Sequence, residues 1–402
     1  MAMGGKIDER KIEEILSRNV EEAIDREHLR AALLSGKKLR VKLGIDPTGA
    51  HIHIGWATVL WKLRAFQDLG HTAILIIGDF TAQIGDASDK TSQRPMLTAE
   101  QVRENMKNYL PQVGQILDLK KAEIRYNNDW LGKLSLHELD ALADLFTIRQ
   151  MIERRNFKQR WDNHEEISLR ELHYPLYQGY DSVAVKADVE LGGSDQLFNV
   201  LAGRKIQEYY GQKPQDILVT RLLIGPDGRK MSKSWGNTIN VMDSADEQFG
   251  KVMALRDELI AEYFEMATEV PLDEIAEIKK SLKKKGTNPK DSKVRLAFEI
   301  ARRYHGEKAA RAAQEKFEQL FSRKEIPDDI PELTITEKSL TALDLVMASG
   351  AVKSRSEARR LIEQGGLEVD GGIMKMPQEP LRIRAGAVVR IGKKRFYRLS
   401  TG

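Results

Sequence analysis

Two apolar runs bracket an amphipathic one near the start of the chain, and this triplet constrains the fold more than any other feature. LRVKLGID (39–46) reads as a buried strand, and so does TAILIIGD (72–79). Between them lie a turn, DPTGAH, and a stretch from His53 to Leu69 with Val59, Leu63 and Phe66 on one stripe and Gly70 as its stop. Apolar residues three and four apart share one helix face, and a glycine after the last of them ends a helix. Strand, helix and strand at this spacing make a βαβ unit, hence a parallel sheet covered by helices. The third apolar strand is expected much later, at DILVTRLLIG (216–225), after further helices.

The rest of the chain reads as helices and a small terminal unit. Residues 8–36 look helical and polar-faced. From Ala245 to Arg323 the pattern is helical and charged, with a basic break at KKSLKKKGTNPKDSK (279–293). EIPDDIPE (325–332) has few apolar residues and reads as a linker. The expected class is α/β, in four parts: a parallel-sheet domain over 1–244, a helical domain over 245–324, a linker over 325–337, and a small α+β unit over 338–402.

Composition excludes several chemistries. Cysteine is absent, so disulfides, thiolate metal sites and a cysteine nucleophile are excluded together. No apolar run is long enough to span a membrane, and MAMGGKIDERK lacks the apolar core of a secretory signal, so a cytoplasmic protein is expected. The net charge of +4 hides an asymmetry. From Ala351 to Gly402, twelve Lys and Arg face five Asp and Glu, a net of +7, which leaves −3 for the remainder. A compact basic end on a nearly neutral body points to a nucleic-acid contact; the bland alternative is a solvated basic tail.

Three motifs carry the chemistry. In GIDPTGAHIHIGW (44–56) a strand ends and a helix starts near His53. Helix N-termini offer free N–H groups and a positive dipole end, which suits phosphates. Thr48 and His53 are donors beside such a site, and Gly55 permits close approach of a nucleotide. A lone His there is otherwise a helix cap or a surface residue. GPDGRKMSKSWGN (225–237) places Lys230, Ser232, Lys233 and Ser234 in a loop able to neutralise a triphosphate, unless it is an ordinary basic turn. In ELHYPLYQGYDSV (171–183), Tyr174, Gln178 and Asp181 fall on one helix face. A carboxylate facing a pocket can accept a phenol O–H, while Tyr174 and Gln178 can hold an ammonium. The alternative is a solvated stripe.

The H-x-G turn after an early strand, with KMSKS after a late one, resembles the class I aminoacyl-tRNA synthetases, which implies that 1–244 is a Rossmann-type nucleotide-binding domain. The Y-x-x-x-Q-x-x-D face followed by GGSDQ (192–196) narrows the resemblance to the tyrosyl-tRNA synthetases, as do GDFTAQIGDASDK (78–90) and YNNDWL (126–131). The resemblance covers about Val41 to Arg398. It implies that L-tyrosine is activated with ATP and Mg²⁺, then passed to the 3′ end of tRNA(Tyr), by a homodimer. Thr48, His53, Lys230 and Lys233 would be catalytic. Asp46, Gly55, Lys90, Arg94, Asp195, Gln196 and Ser232 would join the two lysines at ATP. Asp86, Asn127, Tyr174, Gln178, Asp181 and Gln196 would hold tyrosine, with no protein metal site.

Two departures stand out. Position 56 is Trp where the family motif H-x-G-H has a second His, and Lys42 falls where one bacterial branch has a tyrosine that contacts the phenol. In the terminal unit, SGAVKSRSEARRLIEQGG (349–366) reads as a helix capped by Ser354 and Glu357 and stopped at Gly365. Its buried stripe is Ala358, Leu361 and Ile362. This unit resembles the S4 RNA-binding domain, with Lys353, Arg355 and Arg359 as tRNA contacts. Rival readings are a tryptophan-specific sister enzyme, against which Asp181 argues, a small-molecule nucleotidyltransferase, and a non-catalytic RNA-binding paralogue.

Overall fold

The computed structural model describes residues 8–86, 96–231, 235–284, 286–321, 330–335, 339–352, 354–382, 384, 386–392 and 395–401. Contacts divide the chain into two units, Met1–Ala310 and Arg311–Gly402.

In the first unit, β1 (Val20–Ile24), β2 (Arg40–Ile45), β3 (Thr72–Ile77), β4 (Glu123–Tyr126), β5 (Val189–Gly193) and β6 (Asp216–Thr220) form one sheet. The order is β1–β6–β5–β2–β3–β4, parallel throughout except where β1 runs antiparallel to β6. From β2 the chain steps one way to β3 and β4; β5 and β6 lie on the other side of β2. The β2/β5 boundary is therefore a topological switch point, and crevices for ligands open there at the carboxyl ends of the strands.

Both sheet faces are covered, which is why β2 and β3 read as continuous apolar runs. Val41, Leu43 and Ile45 of β2 and Ala73, Leu75 and Ile77 of β3 share one core with Ala57, Leu60, Leu63 and Phe66 of the helix Ile54–Asp68. Ile74 and Ile76 of β3 point the other way, onto Val185 and Ala187. On that side the helix Leu169–Val185 crosses the helix Leu197–Tyr209. A Cβ at Gly179 would stand 2.6 Å from the Ile206 Cδ1 and 3.2 Å from the Gly203 nitrogen, so the crossing depends on small residues.

The βαβ core lies where the sequence places it. The expected helical run over 8–36 is interrupted. Helices Glu9–Ser17 and Arg26–Leu34 flank β1, which becomes a strand by pairing with β6. Short EIRY and VELGG are also strands, β4 and β5, that local pattern did not mark. Around the basic break one helix ends at Leu282 and the next begins at Pro289.

In the second unit, β7 (Glu332–Ile335), β9 (Leu367–Val369), β10 (Gly372–Met374), β12 (Val388–Ile391) and β13 (Arg395–Thr401) form a sheet in the order β10–β9–β12–β13–β7. β8 (Ser339–Thr341) pairs with β11 (Pro380–Arg382). Helices Ala342–Ala348 and Arg355–Glu363 bury Leu343, Leu345, Val346, Ala358 and Ile362 against Leu367, Val389, Ile391 and Leu399. Leu361, expected on the buried stripe, is only partly buried. Residues 332–335, expected as linker, are β7, held by parallel pairing with β13 that no local pattern could announce.

Candidate active site

Four neighbouring strands deliver polar side chains from their carboxyl ends. β2 leads to Asp46, β3 to Thr81, β4 to Asn127, and β5 to Asp195 and Gln196. Thr81 Oγ1 donates to Asp46 Oδ1 at 2.7 Å, and Asn127 Nδ2 donates to Thr81 Oγ1 at 2.9 Å. A Cβ at Gly78 would lie 2.0 Å from Asp46 Oδ1, so only glycine leaves room for this pair.

The helix Leu169–Val185 is capped by Ser168 and Glu171 and brings its polar face to the same crevice. Tyr174 O–H donates to Asp46 Oδ2 at 3.0 Å. Asp181 is buried and accepts from Trp130 Nε1 at 2.8 Å and from Asn127 Nδ2 at 3.3 Å. Burial pushes its carboxyl up to about 7. The charge of Lys42 and the two hydrogen bonds oppose that rise, and the charge of Glu190 adds to it. Burial likewise holds the Tyr174 phenol well above its ordinary range. Gln178 is half-buried and turns its amide to Glu190 Oε1 at 3.1 Å.

A second cluster joins Asp86 to the β5 end. Gln196 Nε2 donates to Asp86 Oδ2 at 2.7 Å, and Asn199 Nδ2 donates to Gln196 Oε1 at 2.9 Å. The buried Arg154 guanidinium lies 3.8 Å from Asp86 and stacks on Phe157 and Phe198.

At the H-x-G turn His53 is indeed a helix cap: its Nδ1 accepts the Trp56 N–H at 3.1 Å. A Cβ at Gly55 would stand 3.1 Å from His53 Nδ1 and 3.2 Å from the Leu223 oxygen, a tight fit that would push these neighbours back by a few tenths of an ångström. Thr48 is exposed. Trp56 is half-buried and packs on the main core. On the late loop Lys230 is exposed where it pairs with Ile224, and Asn237 Nδ2 ties the turn together by donating to Asp227 Oδ1 at 2.8 Å and to the Lys230 oxygen at 3.1 Å. Lys90, Arg94, Ser232, Lys233, Ser234 and Lys353 lie outside the described residues. Among the described residues no three His, Asp or Glu side chains group as a metal site, and no helix is long and apolar enough to cross a membrane.

Comparison with known proteins decides the family. Residues 34–322 match the family described as tRNA synthetases class I (W and Y), and residues 343–389 match the S4 domain. A tyrosine–tRNA ligase of Thermotoga maritima is 47% identical over 389 residues, covering 96% of this chain and 97% of that one. One from Moorella thermoacetica is 46% identical over 96% of this chain and 95% of its own. The chain belongs to the tyrosyl-tRNA synthetases. Its fold is shared with a C-terminally truncated mitochondrial tyrosyl-tRNA synthetase of Aspergillus nidulans (TM-score 0.64, 22% identity, 77% of this chain and 94% of that one). It is shared also with the Archaeoglobus fulgidus enzyme complexed with L-tyrosine (TM-score 0.60, 21% identity, 76% and 100%).

Within this synthetase, Asp46, Asn127, Tyr174 and Asp181 come together in one hydrogen-bonded group, and Asp86 with Gln196 in another. Arg355 and Arg359 are exposed in the S4 unit, and Arg355 donates to Asp344 Oδ1 at 2.9 Å. Sequence reasoning missed Thr81, Trp130, Arg154 and Glu190. Trp130 stood within the YNNDWL match and Thr81 within GDFTAQIGDASDK; Arg154 and Glu190 carry no local signal, because their partners are set by the fold.

Proposed function

We infer that this chain activates L-tyrosine with ATP to tyrosyl-adenylate and pyrophosphate, then transfers tyrosine to the 3′ end of tRNA(Tyr). The observation that carries the reading is the buried Asp181 carboxylate on the helix face of Tyr174 and Gln178, at the switch point of the parallel sheet. Each carboxylate oxygen can accept two hydrogen bonds, so Asp181 can take a phenol O–H beside Trp130 and Asn127. Asp86, Tyr174, Gln178 and Gln196 surround the ammonium and carboxylate of the substrate, and Asn127 supports Asp181.

The substrate carboxylate attacks the α-phosphate of ATP in line, an oxygen–phosphorus bond forms, and pyrophosphate departs with its electron pair. No protein nucleophile takes part, so catalysis is positioning plus charge stabilisation. Thr48, His53 and Gly55 meet the phosphates at the helix N-terminus, Asp46 and Asp195 lie at the nucleotide, and Gln196 is shared between nucleotide and tyrosine. Lys230, Ser232 and Lys233, with Lys90 and Arg94, neutralise the leaving pyrophosphate. Mg²⁺ arrives with ATP, held chiefly by phosphate oxygens and water.

Residues 1–244 perform the chemistry, 245–324 form a helical tRNA-binding domain, and the connection ends before β7 opens the S4 unit. In that unit Lys353, Arg355 and Arg359 face tRNA phosphates. The enzyme works as a homodimer in the cytoplasm. The test is ATP–pyrophosphate exchange run with each of the common amino acids. Rapid exchange with tyrosine alone is expected; tryptophan-driven exchange would overturn the reading.

A further inference from the structure

Lys42 lies in the middle of β2, and its ammonium is completely buried. A buried ammonium either sheds its proton or finds a full set of acceptors. Lys42 finds three: it donates to Glu190 Oε1 at 2.9 Å, to Ser182 Oγ at 2.8 Å and to the Gln178 backbone oxygen at 2.8 Å. Glu190, on β5, is equally buried. It also accepts from Gln178 Nε2 at 3.1 Å, from Ser182 Oγ at 3.0 Å and from Gln215 Nε2. The pair therefore straddles the β2/β5 switch point and grips one turn of the helix Leu169–Val185, from Gln178 to Ser182. Asp181 sits inside that turn. A buried ion pair is a weak source of stability, since well-packed apolar residues of the same volume often do as well. Its place behind the substrate crevice gives it another use.

We propose that Lys42, paired with Glu190, is a positioning residue for tyrosine selectivity: it fixes the Gln178–Ser182 turn and supplies the buried positive charge behind the Asp181 carboxylate. The inference rests on the reading of Asp181 as acceptor of the substrate phenol. An ionised acceptor makes a hydrogen bond roughly twice as strong as a neutral one. Phenylalanine makes no such bond, so the charge on Asp181 weighs on tyrosine alone.

The groups facing Asp181 come from each neighbouring element. Lys42 faces it from β2 and Glu190 from β5, Asn127 and Trp130 donate to it from beyond β4, and Tyr174 shares its own helix. Asp46 and Asp86 act on Tyr174 from the far side of the crevice. Burial raises the Asp181 carboxyl to about 7, Lys42 is the strongest influence against that rise, and Glu190 acts more weakly in favour of it. The carboxylate is present above that value. Tyrosine capture therefore increases as pH rises through it. Loss of the Lys42 charge moves the midpoint up, and loss of the Glu190 charge moves it down.

The experiment follows kcat/KM for tyrosine and for phenylalanine in ATP–pyrophosphate exchange across pH, with the full-length enzyme. Lys42→Met is expected to raise the midpoint by about one unit, the low end of what a nearby opposite charge produces. Glu190→Gln is expected to lower it, and phenylalanine should follow neither change. Where Lys42→Met alone leaves Glu190 uncompensated and fails to fold, the neutral Lys42→Met/Glu190→Gln enzyme is read instead. Its midpoint rises, because Lys42 acts on Asp181 more strongly than Glu190 does. A uniform drop at every pH with the midpoint unmoved would mean packing only and would overturn the inference. Asp181→Ala, which removes the acceptor altogether, separates the two ideas. If it keeps tyrosine-over-phenylalanine selectivity, the phenol assignment falls and this inference with it. If it loses selectivity while the charge variants leave the profile in place, the Lys42 inference alone falls.

Discussion

The two units of this chain treat charge in opposite ways. In Met1–Ala310 the ion pairs Lys42–Glu190 and Arg160–Glu171 are almost wholly withdrawn from solvent, and Asp86, Asn127, Arg154 and Asp181 are buried with them. In Arg311–Gly402 no polar or charged side chain among the described residues is buried; the interior is Leu, Val, Ile and Ala, and Arg355 pairs with Asp344 at the surface. Buried polar groups are costly but held in one geometry, and they can read a single small molecule atom by atom. Exposed cations over an apolar core are cheap and mobile. They suit a polyanion that is recognised largely by shape and phosphate charge. The buried polar groups of the first unit are suited to discrimination, and the exposed cations of the second to attachment.

The sharpest way to break this contrast is Asp181→Ala. A site that hydrogen-bonds a hydroxyl rejects the analogue lacking it by about 10⁴–10⁵, a magnitude for which tyrosyl-tRNA synthetases are themselves the standing example. Most of that selectivity should vanish in ATP–pyrophosphate exchange with tyrosine and phenylalanine. An unchanged ratio of kcat/KM would remove Asp181 from the phenol.

A smaller effect is expected from ending the chain ahead of β7, before Glu332. Every residue assigned to ATP or tyrosine precedes Ser234, so adenylate formation should stay near its normal rate. Binding of tRNA should fall roughly tenfold or more at moderate salt, with a shallower salt dependence, since fewer phosphates are neutralised. Aminoacylation at full efficiency in the shortened enzyme would show that the basic unit is not a tRNA contact. Loss of exchange would show that the catalytic fold needs it.

The smallest effect tests the rim of the discriminating unit. Trp56 offers its half-buried ring to the core, while the family motif has a second His there. Trp56→His should fold, lose about 1 kcal/mol of stability through the space left by the indole, and lower the KM for ATP. Thermal unfolding and exchange kinetics measure both. A stable variant unable to activate tyrosine would give the indole a role of its own at the ATP site.

Legibility in the sequence followed the range of the interactions. The helix from His53 and the face Tyr174–Gln178–Asp181 could be read because helix neighbours recur at three and four residues. β2 and β3 could be read because strands buried on both faces become unbroken apolar runs. β1 and β7 could not. Each is a short, half-polar segment made a strand by a partner far along the chain, β6 in one case and β13 in the other. The site divides the same way: Asp181 was visible as a polar residue on a helix face and Asn127 within a motif, whereas the interactions of Asp181 with Asn127, Trp130 and Lys42 were not.

Sequence by itself determined the βαβ core, the switch from sheet to helices to a basic end, and the motifs that mark a tyrosyl-tRNA synthetase. Tertiary structure alone decided which strands lie side by side, and so which groups share the crevice. Thr81 meets Asp46 across 35 positions, and Trp130 meets Asp181 across 51. Lys42, which in sequence is only a departure from a related branch, meets Glu190 across 148. Hydrogen bonds and charges act over a few ångströms of space regardless of chain distance, so local patterns can announce a polar residue but cannot name its partner.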